Sequence, residues 1–242
     1  MKLQFDLGNS RLKWRLVASD ASERGALDAE ALESGLRGLP WGHIDAVQVV
    51  SVADRALTDA VKVLSDSFSM PTCAVEEVSL AQMPAWFDLA DTDPTQIGAD
   101  RVMAMLGAYR PLDQYCVIDA GTAVTADLVA EGSHLGGYIV PGLALARSAL
   151  GVQTARIGSV NPTMYSALLE PGHNTQHAVE HGIRRGLIAF CQSVAEQLAP
   201  RPDRIVVTGG DAGWLAGHLH GIVEVEPDLV FIGLDRYFGG LS

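Results

Sequence analysis

Alternating apolar and polar residues at the start of the chain predict a β-hairpin, with strands at 2–7 and 12–18 and a polar turn between them. The following stretch predicts two more strands, at 46–53 and 72–78, and two helices, at 29–36 and 54–67. A hairpin followed by a strand, a helix and a strand is sufficient to form one α/β lobe.

The central stretch, residues 115–141, predicts a meander of three short strands, because apolar and β-branched runs are separated there by Gly and Ser turns. An irregular, proline-containing loop at 80–97 and a helix at 98–109 precede it. The rest predicts helices at 142–150, 175–198, 212–219 and 229–238 and strands at 204–208 and 222–225. We therefore expect two α/β lobes, 1–112 and 113–242.

Both predicted hairpins turn at an acidic, glycine-containing corner. The pattern Asp6-x-Gly8-Asn9-Ser10 recurs 113 residues later as Asp119-x-Gly121-Thr122-Ala123, again between two strands. This repetition indicates duplicated lobes. Backbone N–H groups, small side chains and a carboxylate suit a polyphosphate with its metal ion. The same residue types also form ordinary turns, so either corner alone leaves both interpretations open.

Two further junctions carry candidate chemistry. Thr208-Gly209-Gly210-Asp211 lies between a buried strand and a helix, where backbone N–H groups and the helix N-terminus favour an anion. Gly98-Ala99-Asp100-Arg101 begins a helix after the irregular loop. A carboxylate beside a guanidinium suits a general base with an anion clamp. The spacing alone favours a surface ion pair, with Asp100 stabilised by the helix dipole in the first turn.

Other site classes are less well supported by the sequence. His173, His177 and His181 recur every four residues, but no HExxH pattern accompanies them, so a zinc site is not favoured. The chain has no Walker A, GxGxxG or GxSxG pattern, which argues against a P-loop kinase and a dinucleotide-binding fold.

Composition narrows the function classes further. Seventeen Lys and Arg against 29 Asp and Glu give a net charge of −12, which argues against a nucleic-acid-binding or membrane-binding surface. The three cysteines, Cys73, Cys116 and Cys191, form no CxxC motif and are expected to be buried free thiols in a reducing cytoplasm. No signal peptide and no membrane span are expected.

Taken together, the motifs resemble the type III pantothenate kinase family. The residues that carry the resemblance are Asp6-Leu7-Gly8-Asn9-Ser10-x-x-Lys13, Gly98-x-Asp100-Arg101, Asp119-Ala120-Gly121-Thr122-Ala123-x-Thr125-x-Asp127, Gly136-Gly137-x-Ile139-x-Pro141-Gly142 and Thr208-Gly209-Gly210. Their order and spacing agree with the family over nearly the whole chain. The resemblance implies an α/β fold of the acetate/sugar kinase–actin superfamily, with two ribonuclease-H-like lobes and an ATP cleft between them.

The resemblance also implies an activity, namely transfer of the ATP γ-phosphoryl group to the terminal hydroxyl of pantothenate, the first step of coenzyme A synthesis. Asp100 resembles the base that accepts the hydroxyl proton. Asp6 would help to position magnesium, and Asp119 would bind the potassium or ammonium ion that the family requires. Contacts to ATP are implied for Asp6, Leu7, Gly8, Asn9, Ser10, Arg11, Leu12, Lys13, Thr122, Gly209 and Gly210.

Contacts to pantothenate are implied for Gly98, Ala99, Asp100, Arg101 and Thr175. Thr175 matches a threonine that reaches the substrate across a subunit interface, so a homodimer is expected. Arg101 is the nearest candidate for the substrate carboxylate. Phosphoryl transfer needs positioning and charge neutralisation more than covalent chemistry, which these groups can supply.

Two positions depart from the family pattern. Asp91 stands where the family usually has a substrate-contacting tyrosine, and Ser10 replaces a threonine while keeping the hydroxyl. Asp91 keeps two alternatives open: a catalytically weak, nucleotide-binding regulator of the same fold, and a kinase for a different small alcohol.

Overall fold

The computed structural model describes residues 1–8, 11–18, 21–52, 59, 63, 67, 74–153, 170–198 and 202–239. They fall into two compact units, Met1–Tyr109 with Asp228–Ser242, and Arg110–Pro227. Residues 59, 63 and 67 are helical, and the rest of the helix predicted at 54–67 lies outside the described residues.

A five-stranded sheet forms the centre of the first unit. Its strands are β1 (Lys2–Leu7), β2 (Leu12–Val17), β3 (Ser22–Leu27), β4 (Ala46–Ser51) and β5 (Ala74–Glu77), in the order β3-β2-β1-β4-β5. The first three are antiparallel neighbours, whereas β4 runs parallel to β1 and β5 parallel to β4. Short 3₁₀ helices span Ala29–Ala31 and Trp41–His43, and the α-helices are α1 (Leu32–Arg37) and α2 (Ala99–Ala108).

The second unit is built on a sheet of β6 (Gln114–Ala120), β7 (Ala123–Ala130), β8 (Ser133–Pro141), β9 (Arg204–Thr208) and β10 (Val223–Val225). Its helices are α3 (Leu143–Gln153), α4 (Thr175–Ala195) and α5 (Ala212–Ala216). The strand order is β10-β9-β6-β7-β8, with β6, β7 and β8 antiparallel and β9 and β10 parallel additions. Alternate β6 residues, such as Cys116 and Ile118, pack in the core with the apolar side of α4.

The two sheets have the same topology. Each begins with a three-stranded antiparallel meander, and in each the first strand of the meander pairs with a parallel strand that arrives later in the chain. The duplication indicated by the repeated corners is therefore confirmed at the level of whole sheets, and the α/β architecture is as predicted.

Strand β3 was not predicted from the sequence. Its sequence, SERGAL, has no run of alternating apolar residues, and most of its side chains are exposed. The strand forms because it pairs along its length with β2, and Gly25 lies against Trp14. A Cβ atom at Gly25 would lie 2.8 Å from the indole ring, so the close approach requires glycine.

The C-terminal helix α6 (Leu229–Gly239) belongs to the first unit, although the expected boundary assigned 113–242 to the second lobe. Helices α6 and α2 cross at two glycines. A Cβ at Gly107 would lie 2.1 Å from the Leu229 carbonyl oxygen, and one at Gly233 would lie 1.9 Å from that of Met103. The backbones touch where both side chains are absent, a contact that periodicity does not reveal.

Buried polar groups attach α6 to the sheet. The Asp235 carboxylate accepts hydrogen bonds from Lys2 at 2.5 Å and Gln4 at 3.0 Å and also pairs with Arg15. The Arg15 guanidinium donates to Gln4 at 2.8 Å and to the Phe231 carbonyl at 3.0 Å. Burial raises the pKa of Asp235, but the contacts with Lys2 and Arg15 outweigh it and hold the pKa below its ordinary value.

Two cysteines can be placed. Cys116 and Cys191 are free and buried in the second unit, as expected, and Cys73 lies outside the described residues. Burial raises the pKa of Cys191 to about 12 and that of Cys116 further, so both stay protonated. Among the described residues, no helix has the length and apolar character needed to cross a bilayer.

Candidate active site

The first corner lies where β1 turns into β2. Asp6 is buried near the end of β1, and its register partner is Lys13. The Lys13 ammonium lies 3.5 Å from the Asp6 carboxylate and is itself about half exposed. The Gly8 N–H closes the turn by donating to the Arg11 carbonyl at 3.1 Å. The corner therefore presents one carboxylate and one solvent-reaching cation side by side.

The remaining residues of this run differ in character. The side chains of Leu7 and Leu12 lie in the core of the first unit, so only their backbone can meet a ligand. Arg11 is exposed and pairs with Asp28 at 3.0 Å. Asn9 and Ser10, both predicted to contact phosphate, lie outside the described residues.

The predicted base lies at the start of α2. Gly98 is the N-cap, and the half-buried Asp100 accepts a hydrogen bond from the Arg101 N–H at 2.7 Å. A Cβ atom at Gly98 would lie 2.5 Å from the Asp100 carboxylate, so the glycine leaves room for that side chain. A carboxylate in the first turn is also favoured by the helix dipole.

Within the first unit, the base and the first corner lie at the same end of the sheet. Val52 follows β4 directly, and its N–H donates to the Leu7 carbonyl at 3.0 Å. A Cβ atom at Gly98 would lie 3.4 Å from the Val52 side chain. Val52 thus connects the turn that carries Asp100 with the end of β1, where the first corner begins.

The second corner is enclosed by glycine backbone. Asp119 lies near the end of β6, and the Gly121 N–H donates to the Ala123 carbonyl at 3.1 Å. Gly209, at φ +94°, approaches so closely that a Cβ there would lie 2.5 Å from the Asp119 carboxylate. The side chain of Thr122 is exposed beside them. A carboxylate, a hydroxyl and exposed backbone therefore lie together at the end of this sheet.

Two contacts fix that arrangement. The N–H of Asp211 donates to the Ala120 carbonyl at 3.0 Å, and the N–H of Gly142 donates to the Thr122 carbonyl at 3.0 Å. A Cβ at Gly142 would lie 2.1 Å from the Gly121 carbonyl oxygen. The close approach by Gly142 was not assigned a role from the sequence, although it ends the Gly136–Gly142 motif that contributed to the resemblance.

The chain is similar over most of its length to one family. The model of the family described as type III pantothenate kinase matches residues 2–197. A type III pantothenate kinase of Pseudomonas syringae pv. syringae is 40% identical over 247 residues, covering 97% of each chain. This chain belongs to the type III pantothenate kinase family.

Solved structures agree on the fold of this pantothenate kinase family member. A candidate Baf family transcriptional activator from Campylobacter jejuni matches 99% of this chain and 100% of its own, with a TM-score of 0.64 at 22% identity. A candidate N-acetylmannosamine kinase from Listeria monocytogenes matches 98% of each chain, with a TM-score of 0.52 at 12% identity. These likenesses concern the fold alone, and they agree with the α/β architecture of two five-stranded sheets.

Thr175, the predicted substrate contact in this pantothenate kinase, is the first residue of α4 and is exposed. The Asn174 side chain caps the helix by accepting from the His177 N–H at 2.9 Å. Gly172 packs against the same turn, since a Cβ there would lie 2.2 Å from the Ala178 nitrogen. The position of Thr175 is therefore set by a capped and tightly packed helix start.

Two buried acids in the second unit have partners that the sequence did not reveal. Asp127, part of the recognised motif, meets His134 at 3.0 Å, with both side chains almost fully buried. Glu180 meets Arg147 and Arg184. The contacts of Asp127 with His134 and of Glu180 with Arg147 depend on strand and helix packing, which spacing does not show, whereas Glu180 and Arg184 are four residues apart on α4.

The histidines of α4 do not form a metal centre within the described part of the chain. His177 and His181 stack at 5.8 Å, and His181 Nδ1 lies 2.7 Å from the Glu170 carbonyl oxygen. No cluster of three or more His, Cys, Asp or Glu side chains suited to a metal occurs among the described residues. Metal binding at Asp6 and Asp119 stays a prediction that would need ligands from a nucleotide or water.

Proposed function

We propose that this family member is an ATP-dependent pantothenate kinase that transfers the γ-phosphoryl group to the terminal hydroxyl of pantothenate, giving 4'-phosphopantothenate, the first step of coenzyme A synthesis. The observation that carries this proposal is the similarity of this chain to type III pantothenate kinases over nearly its full length. The position of Val52 supports it, because Val52 lies next to Gly98 at the start of α2 and is hydrogen-bonded to Leu7 at the end of β1.

Asp100 is the proposed base, which accepts the proton of the attacking hydroxyl. Its carboxylate is half-buried and has its orientation held by the Arg101 N–H at 2.7 Å. Gly98 and Ala99 would contact pantothenate through the backbone, and the Arg101 guanidinium would pair with the substrate carboxylate. Correct placement of the hydroxyl is the main contribution of these groups to the rate.

The first corner is the proposed site for the γ-phosphate of ATP, the group that is transferred. Lys13 would neutralise phosphate charge, while Gly8, which has no side chain, would let the phosphates approach the backbone of the 7–13 run. The Asp6 carboxylate is a hard oxygen ligand of the kind that magnesium accepts alongside water and phosphate oxygens. Bound magnesium would offset negative charge that develops during transfer.

The second corner is the proposed site for the rest of the nucleotide phosphates and for the monovalent cation. Thr122 offers an exposed hydroxyl, and Gly209 and Gly210 offer backbone with no bulk to exclude a ligand. The oxygen atoms of Asp119 and the surrounding carbonyls fit potassium, and the nitrogen of ammonium could donate to the same atoms. The cation would add positive charge near the phosphates.

A homodimer is the proposed assembly, with Thr175 contributing to the substrate site at the subunit interface. The second unit supports this because large apolar side chains are exposed on β8 and α3, among them Leu135, Ile139, Leu145 and Val152. Light scattering with size-exclusion chromatography should give twice the mass of the 242-residue chain. We place the enzyme in the cytoplasm, without nucleic-acid or membrane partners, in line with its net charge of −12.

A coupled ADP assay with and without pantothenate, magnesium and potassium tests the activity. We expect ADP formation that requires all three, and Asp100→Asn should lower kcat by about 10²-fold or more while ATP binding, measured by calorimetry, is retained. Asp88→Asn is the matched control, because Asp88 is exposed and its carboxylate accepts a local hydrogen bond from the Ala90 N–H at 2.9 Å. Near-normal turnover by Asp100→Asn would remove Asp100 from the mechanism.

Asp91 is the observation that favours a different outcome. Its side chain is exposed in the loop before α2, where the family usually has tyrosine. Loss of that contact would have one of three consequences. The affinity for pantothenate would be weaker, the substrate would be a different alcohol, or the protein would have a regulatory role without turnover. Comparing pantothenate with pantetheine and simple sugars separates a change of substrate from a loss of catalysis, which would instead leave ATP binding without turnover.

A further inference from the structure

A buried ion cluster joins two helices of the second unit. The Glu180 carboxylate, 2% exposed, accepts two hydrogen bonds from Arg147 on α3, at 2.5 and 2.7 Å, and one from Arg184 on α4 at 2.6 Å. Burial raises the pKa of Glu180, but the hydrogen bonds from both arginines outweigh it, so the pKa lies below the ordinary value. Glu180 is therefore charged at neutral pH.

The Arg147 side of the cluster leads to the second corner. Arg147 lies in the second turn of α3, and that helix begins directly after Gly142. The Gly142 N–H donates to Thr122, and its missing side chain allows the backbone to touch Gly121. The start of α3 is thus held at the corner by Gly142 and, in its second turn, at Glu180 by Arg147.

The Arg184 side leads to the same corner by a second route. The Arg184 guanidinium lies 5.5 Å from the centre of the Trp214 ring on α5. Helix α5 follows Asp211 directly, and the Asp211 N–H donates to the Ala120 carbonyl. Asp211 also raises the pKa of Arg147, after Glu180, through its charge. Arg147 therefore lies on a helix that begins at the second corner, and Arg184 contacts another helix that begins there.

Glu180, the acid of the cluster, lies on the helix that begins with Thr175. Glu180 and Thr175 lie on the same helix, five residues apart, and the capped first turn makes that stretch rigid. A shift of α4 at Glu180 would therefore move Thr175 by a similar distance. The bidentate pair with Arg147 resists both sliding and rotation, because two parallel hydrogen bonds fix direction as well as distance.

We propose that Glu180 is a positioning residue that holds Thr175 in place relative to the second corner, and so sets the affinity for pantothenate. The inference deepens the proposed function and rests on the role proposed there for Thr175. Stability alone explains the cluster poorly, since well-packed apolar residues often stabilise a core as well as a buried ion pair does.

Steady-state kinetics of Glu180→Gln test the proposal. The amide keeps the shape but removes the charge, so we expect the pantothenate KM to rise about tenfold while kcat and the ATP KM stay within about twofold. The ATP values are preserved because the backbone contacts of Gly142 and Gly209 still hold the corner. Glu180→Asp should recover part of the loss, and Glu196→Gln on the exposed end of α4 is the matched control.

A double-mutant cycle with Thr175→Ala separates positioning from general destabilisation. If Glu180 acts through Thr175, the pantothenate KM of the double variant should be close to that of Thr175→Ala alone. Additive effects would overturn the proposal, and so would a Thr175→Ala variant with an unchanged pantothenate KM. Arg147→Lys, which keeps the charge but loses the bidentate pair, replaces Glu180→Gln in the cycle if that variant does not fold.

Hydrogen exchange provides a readout that does not depend on activity. Glu180→Gln should speed amide exchange by about tenfold at 175–180, while 209–212 and the first unit keep wild-type rates. Unchanged exchange at 175–180 would overturn the proposal even if the enzyme proves inactive on pantothenate. Wild-type inactivity combined with faster exchange would instead contradict the proposed function and support the structural link.

Discussion

The two acidic corners share a sequence pattern and a fold position but differ in their surroundings. The residue opposite Asp6 is Lys13, whose ammonium lies 3.5 Å away, whereas the residue opposite Asp119 is the neutral Thr125. Asp119 is instead approached by the backbone of Gly209. The first corner therefore combines a carboxylate with a cationic side chain, and the second combines a carboxylate with polar backbone.

This difference shows that two copies of one motif can differ in the ligands they suit, because different residues surround each copy. A lysine beside a carboxylate suits phosphate oxygens and a divalent ion, since the lysine neutralises part of the phosphate charge. Carbonyl and hydroxyl oxygens beside a carboxylate suit a weakly hydrated monovalent cation. The predictions below test this division of roles.

Exchanging each carboxylate for an amide should have the largest effect. We expect Asp6→Asn and Asp119→Asn each to lower kcat/KM by about 10²–10³-fold, in the range seen when one electrostatic partner of a transition state is removed. Asp6→Asn should raise the magnesium concentration needed for half-maximal rate, and Asp119→Asn the potassium concentration. If both variants shift the same ion dependence, the two corners are not specialised as proposed.

Adding a methyl group at two glycines of the second corner should show, through stability, how closely Gly209 approaches Asp119. Gly209→Ala combines a φ of +94° with a Cβ 2.5 Å from the Ala120 carbonyl oxygen, so we expect a loss of about 3 kcal/mol in the free energy of unfolding. Gly121→Ala places its Cβ 3.6 Å from the nearest atoms and should cost less than about 1 kcal/mol. Urea denaturation measures both, and equal losses would contradict the close approach of Gly209.

Removing the lysine charge should have a moderate effect. Lys13→Met keeps the aliphatic stem, and we expect the ATP KM to rise about tenfold and to depend less on salt, because a charge-assisted contact to phosphate is lost. Thr125→Val at the matching position of the second corner should change the ATP KM by less than about twofold. An unchanged ATP KM in Lys13→Met would place the phosphates elsewhere.

Lowering the pH should have the smallest of these effects, a modest loss of stability as the attachment of α6 weakens. Because the pKa of Asp235 is lowered in the folded chain, the unfolded chain binds more protons, so stability is full above the ordinary pKa of 3.8 and is lost as pH falls through the folded value. Asp235→Asn should flatten this part of the profile, by less than about 1 kcal/mol because the pair is partly exposed. Urea midpoints between pH 7 and 3 measure it, and parallel profiles for the two proteins would contradict the assignment.

The positions of the candidate site residues in the fold were predicted in large part from local patterns. Asp6, Asp119 and Gly209 all lie at strand ends, as expected, because an acid or glycine after an apolar run marks such an end irrespective of distant contacts. Asp100 likewise lies in the first turn of α2. Their roles in binding and catalysis remain proposals.

What escaped prediction depends on contacts between distant segments. Strand β3 exists because β2 offers it an edge, and α6 joins the first unit because Gly107 and Gly233 let two backbones touch. Arg147 meets Glu180 only after α3 and α4 pack, whereas Glu180 and Arg184 are one turn apart on α4.

The sequence by itself determined most strands, most helices, the repeated corners and the family, because hydrophobic period, turn residues and motif spacing are local properties of the chain. The tertiary structure decided which unit owns the C-terminal helix, which groups surround each acid and how α4 is held. Those features depend on packing distances and on the pairing of buried charges, which no local pattern records.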